Sequence, residues 1–219
     1  MSSPTEENYL KSLFLLGNDQ GEINLSDLSK SLQVSTPTAN SMVKKLHDKG
    51  LLLYEKYKPL QLTSRGKKEA ALIIRKHRLT EMFLVEIMNF GWEEVHDIAE
   101  QIEHINSPAF FERMDEFLNN PTIDPHGSPI PDKNGKMIWK SYVKLSECQV
   151  GNKLKLVALT HSSTDFLKFL NSKELSLGTT LKLHTIEPFD QSITVSYKNH
   201  PNEIFSSMVS ERLLVEMIK

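Results

Sequence analysis

The sequence predicts a mostly α-helical protein with a β C-terminal domain: a winged helix-turn-helix head, a helical middle and a small β-barrel tail. Three observations carry this. Apolar residues recur at helical spacing between Pro4 and Gly50 and again from Ser64 to Leu118. Two short helices joined by a tight turn are followed at once by a strand–turn–strand pattern. Beyond Leu145 the period changes from helical to two.

The first helix is expected from Pro4 to about Gly17, through Tyr9, Leu13 and Leu16 with Leu10 and Phe14 beside them, ending in the turn Gly17-Asn18-Asp19-Gln20-Gly21. The second covers Asn24 to Leu32, with Ser26 as N-cap and Leu28 and Leu32 one turn apart. After Gln33-Val34-Ser35, Thr36-Pro37 opens a third helix through Met42, Val43 and Leu46 to Gly50, capped by Ser35 or Thr36. Leu51–Tyr57 and Leu60–Thr63, joined at Lys58-Pro59, read as the hairpin wing. A long helix is expected from Ser64 to Met88, another from Gly91 to about Asn106, and a third from Ala109 to Leu118. Asn119 to Lys136, rich in Pro, Gly and Asp, reads as a linker. Lys153–Val157, Thr180–His184 and Ser192–Ser196 alternate as strands, with a short helix at Asp165–Asn171. The expected domains are 1–72, 73–144 and 145–219.

Composition sets limits. At 219 residues the chain buries real cores without needing disulfides or a metal to fold. The single cysteine, Cys148, excludes a disulfide framework or Cys-rich zinc module and fits a reducing, cytoplasmic setting. No apolar run is long enough to span a membrane, and Met1 to Glu7 has no signal-peptide pattern. The net charge of −2 hides an asymmetry: residues 1–78 carry +5, 79–144 carry −7 and 145–219 carry 0.

The basic head suits DNA. Ser35, Thr36, Pro37, Thr38, Asn40 and Ser41 would enter the major groove at the N-terminal end of the recognition helix. Lys44, Lys45, Lys56 and Lys58 would neutralise phosphates. The acidic middle suits a metal. His77 and Glu81 stand at i, i+4, and His96, Glu100, Glu103 and His104 share one helical face. Imidazole and carboxylate without thiolate suit manganese or ferrous iron, although zinc also binds such sets. Phe110, Phe111, Met114, Phe117 and Leu118 offer an apolar stripe for a two-fold dimer, for intradomain core, or for both. Cys148 is expected as a small buried hydrophobe and Trp92 and Trp139 as packing anchors. Surface roles are expected for His47, His126, His161, His184 and His200.

Arg75–Glu81, Val95–His104, Ser35-Thr36-Pro37-Thr38, Leu62–Gly66 and Gly127–Pro131 resemble the DtxR/MntR family of metal-dependent transcriptional repressors. The tail, at Phe166–Leu170 and Leu175–Gly178, resembles the SH3-like (FeoA-type) domain of the longer members. The resemblance implies a homodimer that binds palindromic operator DNA with Mn2+ or Fe2+ as co-repressor, zinc or cobalt substituting in vitro. It implies two metal sites per subunit. One uses Glu100, Glu103, His104 and Asn8; the other uses His77, Glu81, His96 and an oxygen from the tail, best matched by Asp165. Iron-type members carry cysteine where Glu100 stands, so this position is manganese-like. Asn8 replaces the usual Met or Asp, and Lys11 replaces a further first-helix Glu of short members. A metal-independent regulator and a dinuclear metallohydrolase are the competing readings. The hydrolase lacks an HExxH motif and a general base outside the ligands, so no enzyme activity is expected.

Overall fold

A computed structural model describes residues 3–17 and 21–218. Asn18, Asp19 and Gln20 of the expected first turn, and Met1 and Ser2, lie outside the described residues. The chain forms two compact units. The first comprises residues 1–80, 97–122 and 130–138; the second comprises 81–96, 123–129 and 139–219. These units cut across the domains expected from sequence: the division falls inside one long helix, and 123–129 belongs with the β domain.

In the first unit, α1 (Pro4–Leu16) opens with a capping box. Ser3 Oγ accepts from Glu6 N, and the Glu6 carboxylate accepts from Ser3 N at 3.0 Å. β1 (Glu22–Ile23) leads to α2 (Leu25–Ser31), whose N-cap is Asn24. Ser26, expected as the cap, lies inside this helix and its carbonyl accepts from Ser29 Oγ. α3 (Thr36–Asp48) starts at the expected Ser35, whose hydroxyl accepts from Thr38 N. β2 (Leu52–Leu53) and β3 (Leu60–Leu62) make the wing, shorter than expected. β1 adds to it, giving the order β1-β3-β2. Two residues were too few to show a period-two pattern. Leu10, Leu13, Leu28, Val43, Leu46 and Leu60 are the fully buried centre of this head.

One buried charge ties α1 to α3. Glu6 is 1% exposed, and its carboxylate accepts from Lys49 Nζ at 2.7 and 2.8 Å and pairs with Lys45 Nζ at 3.0 Å. These partners, Lys49 foremost, hold its carboxyl at about 2, against the opposing push of burial.

α4 (Ser64–Glu86) is followed by turns at 92–95, where a helix was expected; α5 (His96–Ile102) starts only at His96. α6 (Pro108–Phe117) splits its apolar stripe, with Phe111 and Met114 buried but Phe110 and Phe117 43% and 65% exposed.

The second unit contains a six-stranded antiparallel sheet, ordered β4 (Val143–Lys144), β9 (Leu213–Met217), β5 (Lys153–Leu159), β6 (Thr180–Ile186), β7 (Ile193–Tyr197) and β8 (His200–Phe205). Alternating Leu154, Leu156, Leu181, Leu183 and Val195 meet Phe166, Leu167 and Leu170 of α7 (Thr164–Ser172) in one core. Bulges between Leu156 and Ala158, Leu183 and Thr185, and Val195 and Tyr197 add the twist that curls a small sheet around such a core. α8 (Ser207–Ser210) precedes β9. Cys148 is buried as expected. Trp139, expected as an anchor, is 67% exposed. Trp92 does pack on the core, and its Nε1 donates to Asn171 Oδ1 at 2.7 Å. Among the described residues no helix is long and apolar enough to cross a membrane.

Tyr197 gives this core a testable pH signature. It is 4% exposed, and its hydroxyl donates to Lys173 O at 2.9 Å. Burial, then Glu203 and Glu174, push the phenol from 10.0 up to about 12. A raised folded value means this stability is whole below pH 10 and is lost as pH rises from there through about 12. Tyr197→Phe is expected to flatten the alkaline fall in melting temperature over that window. At neutral pH it should cost about 1 kcal/mol, the lost hydrogen bond. Calorimetry across pH 8–12 checks both (the range spans the shift).

Candidate metal centres

In the first unit α1 meets the segment that begins with α5. Glu103 is completely buried at the end of that helical run, its N–H still bonded to Ala99 O. Lys11 Nζ donates to both Glu103 oxygens at 2.7 and 2.9 Å and also pairs with Glu100. His77 Nδ1 lies 2.6 Å from Glu103 Oε2, and the ligand atoms of His77, Glu100 and Glu103 fall within 4.8 Å of one another. One turn before Lys11, Glu7 Oε2 lies 2.6 Å from His104 Nδ1.

These contacts set the chemistry. His104 Nδ1–H donates to Glu7, which leaves Nε2, 3.7 Å from Glu103 Oε1, as the ring nitrogen turned toward the cluster. A carboxylate behind an imidazole is how proteins fix the tautomer of a metal-binding histidine. Between Glu7 and Lys11 sits Asn8, whose Oδ1 is buried with no hydrogen-bond partner among the described residues. An orphaned amide oxygen is costly unless something electropositive takes it. Among the described residues Lys11 Nζ meets Glu100 and Glu103, and Lys76 lies 4.0 Å from Glu7 at the rim. Burial opposes ionisation of Glu103, but His77 and Lys11 together outweigh it and hold its carboxyl below the ordinary range. The donor set fits a divalent ion of manganese or iron type.

The second unit holds a separate cluster. Glu81 and Asp124 and His126 are all buried, with ligand atoms within 4.8 Å of one another. His96 Nδ1 lies 3.4 Å from Glu81 Oε1, and His126 Nδ1 lies 3.8 Å from Glu81 Oε2. His126 Nε2–H donates to Trp92 O at 2.8 Å and its ring stacks on Trp92, which leaves Nδ1 as the bare nitrogen on the Glu81 side. Asp124 Oδ1 accepts from the N–H groups of His126 and Ser128, both at 2.9 Å, an Asx turn that fixes the carboxylate. The loop is anchored on β5, where Leu159 N donates to His126 O at 3.0 Å.

The expected site residues distribute as follows. Glu100, Glu103 and His104 come together with α1, which carries Asn8. His77 bonds Glu103, and Glu81 lies beside His96. His126 is 4% exposed, which corrects the surface role expected for it. Asp165 is exposed in the first turn of α7 and belongs to none of the metal-type groups among the described residues. The buried face of α7 is its apolar one, Phe166, Leu167 and Leu170, so Asp165 points elsewhere. Glu7, Asp124 and His126 were missed. The local signal for the last two was Asp-Pro-His-Gly, an acid and an imidazole two residues apart in a rigid turn.

On α3, Ser35 to Thr38 and Ser41 and Lys44 are exposed. Ser41 Oγ donates to Pro37 O, and Asn40 Oδ1 accepts from Tyr54 OH. Lys45 is engaged by Glu6, Lys58 by Glu55, and Lys56 lies over the exposed Tyr57 ring at 4.9 Å.

Two family models match the chain: the iron-dependent repressor N-terminal DNA-binding domain over residues 1–60, and the iron-dependent repressor metal-binding and dimerisation domain over 63–132. The chain is 36% identical over 127 residues to the iron-dependent repressor IdeR of Mycobacterium leprae, a match covering 58% of this chain and 55% of that protein. It thus spans about half the length of the mycobacterial relatives it matches. It is 36% identical over 118 residues to the HTH-type transcriptional regulator MntR of Bacillus subtilis, covering 54% of this chain and 82% of the relative. A solved manganese-dependent transcriptional repressor in complex with manganese superposes with TM-score 0.88 at 28% identity, over 97% of this chain and 100% of that one. ScaR with bound Zn2+ gives 0.80 at 31% identity, over 97% and 99%.

Proposed function

Because this chain belongs to the iron-dependent repressor (DtxR/MntR) family, we propose that it is a metal-dependent DNA-binding repressor of metal-ion homeostasis, with Mn2+ or Fe2+ as co-repressor. One observation carries the reading. The first helix of the DNA-binding head meets the helical middle through a carboxylate–imidazole cluster with an orphaned oxygen, Asn8 Oδ1.

Glu100, Glu103, His104 and Asn8 would hold one ion, with Glu7 orienting His104. Glu81, Asp124, His126 and His96 would hold a second. Bound there, the metal supplies the positive charge that these oxygens and imidazoles are arranged to receive. Glu100 and Glu103 anchor the middle segment, and Asn8 anchors α1, so occupancy favours one setting of α1 by its differential affinity for that setting. The N-terminal end of α3 reads the major groove through Ser35, Thr36, Pro37, Thr38, Asn40 and Ser41. Lys44, Lys56 and Lys58 supply phosphate contacts, and Lys45 a smaller one because Glu6 holds it. Exposed Phe110 and Phe117 of α6 build the homodimer that sets the spacing of two such helices on a palindrome. The reading places the protein in the cytoplasm with no catalytic role.

Binding of a promoter duplex measured with manganese and then with chelator tests it. Tight binding that survives chelation overturns the reading. Asn8→Asp sharpens the test: it changes the orphaned amide to a carboxylate of the same shape. Manganese affinity is expected to rise roughly tenfold, from the added ligand charge. Isothermal titration with manganese measures the change.

A further inference from the structure

We propose that Glu6 is a positioning residue that carries the setting of the metal-binding helix to the recognition helix. The inference rests on the repressor reading above. Glu7, Asn8 and Lys11 give α1 its metal-facing side, through the contacts of Glu7 with His104 and of Lys11 with Glu100 and Glu103. At ~100° per residue, Glu6 lies about 200° round the helix from Asn8 and about 140° from Lys11, on the other side of α1. There it is 1% exposed and grips Lys45 and Lys49, which sit in the last turn and at the C-cap of α3. Its oxygens also close the capping box with Ser3 N, so the carboxylate is fixed to its own helix as well as to α3.

The placement is unusual for a stabilising pair. A carboxylate has been taken fully out of water to meet two lysines that remain 55% and 39% exposed. Desolvation offsets much of such an attraction, so a buried charge of this kind is better at specifying an arrangement than at adding stability. Here the arrangement specified is that of α1 against the far end of α3. A shift of α1 imposed at Asn8 and Lys11 passes through Glu6 to Lys45 and Lys49. It pivots α3 about the Ser35–Thr38 end that contacts DNA.

The test uses Glu6→Gln and Lys49→Met in the full chain. Glu6→Gln keeps the shape and removes the charge. Lys49→Met acts from the partly exposed partner and serves if burial makes the first variant fold poorly. The probe is a labelled palindromic duplex enriched from a random library by manganese-loaded wild-type protein. Duplex affinity is measured with saturating manganese and with chelator, and manganese affinity is measured without and with the duplex. In both variants the manganese-induced gain in duplex affinity is expected to fall at least ~10-fold, with manganese affinity of the free protein staying within about twofold. Because coupling is reciprocal, the tightening of manganese by the duplex must fall by the same factor. A merely structural bond would lower duplex affinity equally with and without metal and leave that gain alone. An unchanged gain, or one lost in step with manganese affinity of the free protein, overturns the role of Glu6. A wild-type gain of one is a different failure: it removes the repressor reading itself.

Discussion

Glu103→Gln is expected to abolish manganese-dependent operator binding while leaving a folded chain. Glu103 is the one carboxylate of the first centre with no exposure at all, and it meets Lys11, His77 and the Nε2 side of His104. Glutamine keeps the volume but offers one neutral oxygen and an amide that donates toward Lys11, where only acceptors serve. Losing even an outer partner of a metal ligand typically costs 10–100-fold in affinity, and a ligand shared among three groups should cost at least about 100-fold. Breaking a buried ion pair from one side is also destabilising, by roughly 3 kcal/mol, because Lys11 is left to Glu100 alone. The two effects separate experimentally. Circular dichroism reports a lowered but cooperative melt, and manganese titration reports the lost site. The carboxyl of Glu103 is held below its ordinary value of 4.5, so its contribution to stability is present above that pH and is lost as pH falls through the lowered value. Wild type should therefore lose an acid-dependent component of stability that Glu103→Gln never has. A variant that still takes up manganese at this centre with wild-type affinity would remove Glu103 from the ligand set.

What the sequence made legible follows physical range. Helical spacing is local, so His96, Glu100, Glu103 and His104 could be placed on one face before any fold was known. The cap at Ser35 and the stop at Gly50 are local too, and α3 lies where they put it. The i, i+4 pair His77 and Glu81 is local in the same way, one turn apart on α4. Glu7 was illegible because orienting an imidazole 97 residues away leaves no trace in local pattern. His126 was misjudged for a related reason. A Pro/Gly-rich stretch reads as solvent-exposed linker, but here residues 123–129 are bonded to β5 and stacked on Trp92. Asp165 rests on resemblance in the tail, in the exposed first turn of α7.

The same loop yields the second large expected effect, in Gly127→Ala. Gly127 has φ +88°, a conformation that a Cβ disfavours, and a Cβ there would lie 2.4 Å from Val157 O and 2.5 Å from Ala158 Cα. Both atoms lie along β5, and Ala158 stands beside the bulge, paired with Leu214 of β9. Backbone of that kind cannot step aside as a flexible side chain would, so the loop must lift. Lifting it breaks Leu159 N to His126 O and pulls His126 from Trp92 O, which together hold the ring whose Nδ1 faces Glu81. The strain of an αL residue with a Cβ costs about 1 kcal/mol, and the clash with two lost hydrogen bonds adds about 2–3 more. The metal consequence is larger than the stability one, because Asp124 and His126 leave the second cluster together. Manganese uptake is expected to fall by one ion per subunit, with the centre at Glu100, Glu103 and His104 retained. Equilibrium dialysis counts the ions, and Asp124→Ala, which removes a ligand together with the bonds it accepts from the His126 and Ser128 N–H groups, gives the reference. If Gly127→Ala loses stability but keeps the full complement of manganese, the loop does not hold the second site. If it loses manganese as Asp124→Ala does, the glycine serves as the seat on which an acid and an imidazole from an apparent linker are presented to Glu81.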